Sequence, residues 1–113
     1  GMTAMASGPA TLTERDAGRT VELRVGGQVI LELPETAGTG FRWALEEPVP
    51  AAIEVREQPF RADSKTLGSS GTAGWTVTAK APADVPLRLK LWRAWEGDAS
   101  IRQRFEAMLR IRP

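Results

Sequence analysis

Side chains able to do covalent or acid–base chemistry are scarce in this sequence. Its 113 residues include no histidine and no cysteine. That excludes Ser-His-Asp and Cys-His nucleophilic catalysis, histidine acid–base work and every Cys/His zinc or haem site. The titratable groups that remain are 14 Asp and Glu among 15 Lys and Arg. A carboxylate pair can hydrolyse a glycoside, but here acids and bases are interleaved as on a solvated surface. The chain therefore reads as a non-enzyme that needs no cofactor and no metal. What it offers instead is binding chemistry, with arginine and tryptophan set beside glycine-rich turns.

Three segments carry that chemistry. Residues 34–40 hold two glycines and two threonines in the run Thr36, Ala37, Gly38, Thr39, Gly40, with Phe41 next. Gly38 and Gly40 permit positive φ and close backbone approach, and Thr39 between them brings one hydroxyl on a stiff β-branched body. By composition alone this is a turn that needs glycine for its geometry; it also suits a projecting tip. Residues 61–74 read as one long flexible loop through Asp63, Ser64 and Lys65 to Gly68, Ser69, Ser70, Gly71, Thr72, Ala73 and Gly74. Taken alone it is a mobile Gly/Ser connector, of a length otherwise found in functional loops. Residues 93–97 place Arg93, Ala94 and Trp95 directly after a strand, and Arg and Trp are the residues most enriched in binding hot spots. Two arrangements stay open for Trp95: exposed, or folded over the domain end with Arg93 paired to Glu96 or Asp98.

The elements that must position these segments are strands. Apolar residues alternate at Val21, Leu23, Val25 and at Val29, Leu31, Leu33, and the Gly26-Gly27 pair between them reads as a tight turn joining two strands. The same period returns at Phe41, Trp43, Leu45, more weakly at Ile53 and Val55, then at Trp75, Val77, Ala79 and at Leu87, Leu89, Leu91. The last segment carries good helix formers, yet Phe105, Ala107, Leu109 and Ile111 fit period two, which favours a strand. Trp43 and Trp75 are in phase with core positions, whereas Trp92 falls on an outer face. The fold class that follows is all-β, an immunoglobulin-like β-sandwich of about seven to eight antiparallel strands.

Length allows one domain. Residues 1–19 lack periodicity and read as a loosely ordered start with a short edge strand around Thr11 to Thr13, ahead of a domain over residues 20–113. Gly1 before Met2 looks like a remnant of tag removal, so the compartment depends on whether Met2 is the native start: cytoplasm if it is, periplasm or exterior if a leader preceded it. Apolar residues make up 42%, charged residues 26%, and the net charge is +1. This is the balance of a soluble, monomeric globule with neither a membrane span nor a strong field for nucleic acid. Arg102, Arg104, Arg110 and Arg112, with Arg88, Lys90 and Trp92, could form a stripe tracking a single strand; the low net charge makes them an ordinary charged sheet face.

In order along the chain, the Leu33-Pro34 lead into Thr39-Gly40-Phe41-x-Trp43, then Asp63-Ser64-Lys65 through Leu67-Gly68 and Gly71-Thr72, then Arg93-x-Trp95, resemble the chagasin family of protein inhibitors of papain-like cysteine peptidases. The resemblance covers most of residues 20–112. That family's pattern is Asn-Pro-Thr-Thr-Gly-Phe/Tyr in the first loop, a Gly-rich second loop and Arg-Pro-Trp in the third. The sequence departs from it at Thr36, Ala37, Gly38 and Ala94.

The resemblance implies a papain-like cysteine peptidase as partner and a reversible, non-covalent mode. The 36–40 loop, Thr36, Ala37, Gly38, Thr39 and Gly40, would enter the active-site cleft, with Phe41 also in the peptidase-binding set. The 68–74 loop, through Gly68, Ser69, Ser70, Gly71 and Thr72, would grip one side, and the 93–97 loop, through Arg93, Ala94 and Trp95, the other. Replacing prolines and gaining Gly38 enlarges the free-state ensemble by roughly 0.4–1 kcal/mol per site, so a weaker or differently selective inhibitor is expected. The rival reading is an immunoglobulin-like binding module that no longer inhibits peptidases.

Overall fold

The computed structural model describes residues 9–65 and 68–113. Among them, eight strands form two four-stranded sheets. They are β1 (Ala10–Leu12), β2 (Thr20–Arg24), β3 (Gln28–Thr36), β4 (Arg42–Leu45), β5 (Ile53–Ala62), β6 (Ser70–Ala79), β7 (Ala83–Trp92) and β8 (Gln103–Arg112). One sheet runs β1-β3-β6-β5 and the other β2-β8-β7-β4.

Period-two alternation turns one face of each sheet inward. Val29, Leu31, Leu33, Trp75 and Val77 from the first sheet meet Trp43, Leu87, Leu89, Phe105, Leu109 and Ile111 from the second in a single buried cluster. Each fully buried aliphatic side chain contributes about 1.5–3 kcal/mol. The all-β sandwich expected from the pattern is the one observed, and the last segment is a strand. The stretch read as a loose start carries β1 and a turn of 3-10 helix at Glu14–Asp16, closed by a Thr13/Asp16 capping box. Leu12 joins the core. Residues 1–8 lie outside the described residues.

One expectation about pairing is corrected. The strands are not all antiparallel: β1 runs parallel to β3, and β2 parallel to β8. Gly26-Gly27 is the expected tight turn between β2 and β3, with the Gly27 N–H donating to Arg24 O at 2.8 Å, and the two strands it joins belong to different sheets. The turn is fastened to the end of β6, with the Gly26 N–H donating to Ala79 O at 2.8 Å and the Ala79 N–H to Gly27 O at 2.9 Å. A chain that changes sheets between successive strands reaches each sheet by a crossing connection, and that permits parallel addition where a two-residue hairpin does not.

A second correction concerns residues 61–74: among the described residues, 61–62 and 70–74 are strand and not loop. Arg61 pairs with Thr72 and Ala62 with Gly71. A Cβ at Gly71 would run into Phe60 and the Arg61 carbonyl, so this glycine serves close packing between β5 and β6 instead of flexibility.

The outer face of the second sheet is a lattice of opposite charges. Arg88 lies 3.1 Å from Glu106, Arg104 3.4 Å from Glu46, Lys90 3.5 Å from Asp98, and Arg110 and Arg112 each 3.9 Å from Asp84. The arginine stripe is thus interleaved with carboxylates. Lys90 Nζ also stands 3.7 Å over the Trp92 ring on this outer face.

Candidate functional site

The strand register gathers three loops at one end of the sandwich. Thr36 pairs with Ser70, Arg42 with Trp92, and Leu91 with Gln103. Residues 37–41, here loop 1, cross from the first sheet to the second. Loop 2 (residues 63–69) closes β5 to β6 on the first sheet's side, and loop 3 (residues 93–102) closes β7 to β8 on the other. Loop 1 is the middle member.

Loop 1 is a single turn of 3-10 helix, Ala37–Thr39, ended by Gly40 at φ 78°. The Thr39 hydroxyl works inside the loop: it donates to Thr36 O at 2.8 Å and accepts from the Phe41 N–H at 3.2 Å. The Gly/Thr run read as a turn or a projecting tip is therefore tied across its own tip.

Toward loop 2, the Ala37 N–H donates to Ser69 O at 3.3 Å, and the hydroxyls of Thr36 and Ser70 stand 3.4 Å apart. Gly38 lies flat against Gly68. A Cβ on Gly38 would fall 3.2 Å from Gly68 Cα and 3.3 Å from Gly68 O. The absent side chain lets the two loops touch backbone to backbone.

Toward loop 3, Arg93 Nε and Nη2 both donate to Thr39 O, at 3.2 and 3.0 Å. The same guanidinium stands 4.4 Å over the Phe41 ring and 3.6 Å from a Glu96 oxygen, and Arg102 covers Phe41 at 4.7 Å. Loop 3 is held in shape by Ser100, whose hydroxyl accepts from the Arg93 N–H at 3.0 Å and lies 2.7 Å from Gly97 O. Both arrangements left open for this loop occur in part: Arg93 pairs with Glu96, while Trp95 is 71% exposed. The Trp95 ring edge also lies over Gly40, where a Cβ would come within 2.7 Å of it.

The base of loop 1 is fastened by residues that periodicity did not single out. Trp43 is a core residue as expected, but its ring N–H also donates to Pro34 O at 2.9 Å, and its backbone N–H to Glu35 Oε1 at 2.9 Å. Glu35 is 7% exposed, with Arg42 Nε 3.8 Å from its other oxygen. One signal could have found it: Glu35 continues the inward phase of Val29, Leu31 and Leu33.

Of the residues singled out from sequence, the fold brings together Thr36, Ala37, Gly38, Thr39, Gly40, Phe41, Gly68, Ser69, Ser70, Arg93, Ala94 and Trp95. Gly71 and Thr72 are set back within β6, and Gly71 is buried. Leu67 lies outside the described residues. Charge on this edge is of mixed sign, with Asp63, Lys65, Glu96 and Arg102 all exposed. The edge has the makings of a shaped docking surface, one exposed aromatic beside a braced backbone turn.

The model of the Chagasin family peptidase inhibitor I42 matches residues 22–108. The chain belongs to this family. Chagasin of Trypanosoma cruzi is 33% identical over 104 residues, covering 88% of this chain and 94% of its relative. Two solved structures share the fold at lower identity. The cysteine protease inhibitor EhICP2 from Entamoeba histolytica superimposes with a TM-score of 0.80 at 18% identity, over 93% of this chain and 96% of that one. PbICP-C, solved in complex with falcipain-2, gives 0.62 at 15% identity over 98% and 96%. The matched span of this chagasin-family chain contains all three loops.

Proposed function

We propose that this protein is a reversible, non-covalent inhibitor of papain-like cysteine peptidases. Loop 1 enters the active-site cleft, and loops 2 and 3 bear on either side. Membership of a peptidase-inhibitor family sets the class. The observation that carries the mode is the joining of the three loops into one edge, by Arg93 to the Thr39 carbonyl on one flank and Gly38 to Gly68 on the other. An inhibitor of this kind supplies a surface complementary to a cleft and needs no nucleophile, acid or metal of its own. Preformed loops lose little ordering entropy on binding, and Trp95 gives the apolar anchor that such interfaces use.

The test is a tight-binding titration of a papain-type enzyme with the parent and with Thr39→Trp, whose side chain blocks entry of the tip. The parent is expected to titrate the enzyme and the variant to lose potency. Equal potency would remove loop 1 from the mechanism.

A further inference from the structure

Loop 1 contains Gly38 and Gly40 and no proline, a composition that by itself disperses over many backbone conformations. Three devices hold it. The Thr39 hydroxyl and the Arg93 guanidinium act at the tip and shoulder, where a partner would also touch them. The third acts from inside the sandwich: Glu35, at an inward position of β3, receives the Trp43 N–H at 2.9 Å, and Pro34 O receives the ring N–H of the same tryptophan at 2.9 Å. Residues 36–42 are thereby closed off between two adjacent residues of one sheet and a single residue of the other.

We propose that Glu35 is a positioning residue for the inhibitory edge, fixing the two ends of loop 1 from the mouth of the core. This rests on the inhibitor reading above. An apolar side chain at position 35 would satisfy the inward pattern but would leave the Trp43 N–H with no acceptor from that side. A carboxylate is tolerated there because it is met by that N–H, and its second oxygen faces Arg42 at 3.8 Å toward solvent; a buried carboxylate without such partners is strongly disfavoured. Glu35 is 7% exposed and stands behind the tip. Its influence on a bound peptidase therefore runs through the loop it closes, by keeping the free loop in its binding conformation.

Three variants test this: Glu35→Ala, Glu35→Gln and Val29→Ala, the last a core truncation at the far end of the same strand. Inhibition of a papain-type peptidase is measured well below each variant's unfolding temperature, together with amide hydrogen exchange of the free proteins at Phe41 and Trp43. Glu35→Ala should weaken inhibition by about ten-fold and speed exchange at both amides, because the loop must be ordered at the moment of binding. Glu35→Gln keeps an oxygen for the Trp43 N–H and should stay within about three-fold of the parent. Val29→Ala should leave both readouts at parental values. The proposal is overturned if Glu35→Ala matches the parent in exchange, or if Val29→Ala weakens inhibition as much as Glu35→Ala does. If the parent inhibits no peptidase, the inhibitor reading fails and the role for Glu35 in inhibition falls with it. The exchange data then decide separately whether Glu35 holds the loop.

Discussion

Arg93 donates two hydrogen bonds to the carbonyl of Thr39, 54 residues earlier in the chain, and so joins the tip of loop 1 to loop 3. A fork of two N–H groups on one oxygen, with the guanidinium plane over Phe41 at 4.4 Å, is an arrangement a lysine does not reproduce. Arg93→Lys should therefore weaken peptidase inhibition by about ten-fold, equivalent to ~1.4 kcal/mol. The unfolding temperature should change little, since the contact lies outside the core. Unchanged inhibition constants would show that the brace does not matter for binding.

Trp95 is mostly exposed, and its ring edge lies over Gly40. Trp95→Ala should cost about 2 kcal/mol or more of binding, as for other buried interface tryptophans, with thermal stability near that of the parent. A large fall in unfolding temperature would contradict this, and would mean that Trp95 is chiefly a structural cover for the loop.

The two alanines that stand where the family pattern has proline are not equivalent. Ala94 opens a 3-10 turn after Arg93, whose φ −102° and ψ 110° suit a following proline. Ala37 uses its N–H to reach Ser69 O, a bond that proline would abolish. Ala94→Pro should tighten inhibition by a few-fold, through about 0.4–1 kcal/mol less entropy to lose. Ala37→Pro should give no gain. Titrating both singly against one peptidase checks the contrast, which fails if Ala37→Pro is the better of the two.

Gly38 and Gly68 touch without side chains. Gly38→Thr would restore the residue of the family pattern, yet its Cβ would lie 3.2–3.3 Å from Gly68 atoms. Loop 2 must then move away from loop 1, so inhibition should weaken and the ranking of peptidases by affinity should shift. A variant as potent and selective as the parent against a panel would show that this contact is dispensable.

One stability prediction lies away from the edge. The Asp16 carboxyl is held below its ordinary value first by the hydrogen bond from the Thr13 backbone N–H, then by the Arg19 guanidinium. A depressed folded-state value means that the contribution is present above the ordinary carboxylate range and is lost as pH falls through the folded value. Below about pH 4, thermal stability of the parent should therefore fall more steeply than that of Asp16→Asn, as followed by circular dichroism melts. Parallel curves would remove Asp16 from the acid response.

Much of the fold was legible because alternation is a local property. Val29-Leu31-Leu33, Trp75-Val77 and Phe105 through Ile111 each declare an inward face within a few residues of chain, and the sandwich follows from the need to bury those faces together. The absence of histidine and cysteine equally excluded catalysis and metal sites built on those side chains, since no arrangement in space supplies a missing functional group. The three loop segments were visible as composition.

Tertiary structure alone decided what each loop residue touches. Whether β2 pairs with β3 or with β8 depends on partners about 90 residues apart in sequence, and no local period records that choice. Two glycines of similar sequence setting differ for the same reason. Gly71 packs a strand against Phe60 while Gly38 receives a neighbouring loop, because a glycine's role is set by what occupies the space beside it. Glu35 shows the limit most plainly. Its inward phase could be read from the strand, but the Trp43 N–H that makes a buried carboxylate useful is delivered by the opposite sheet.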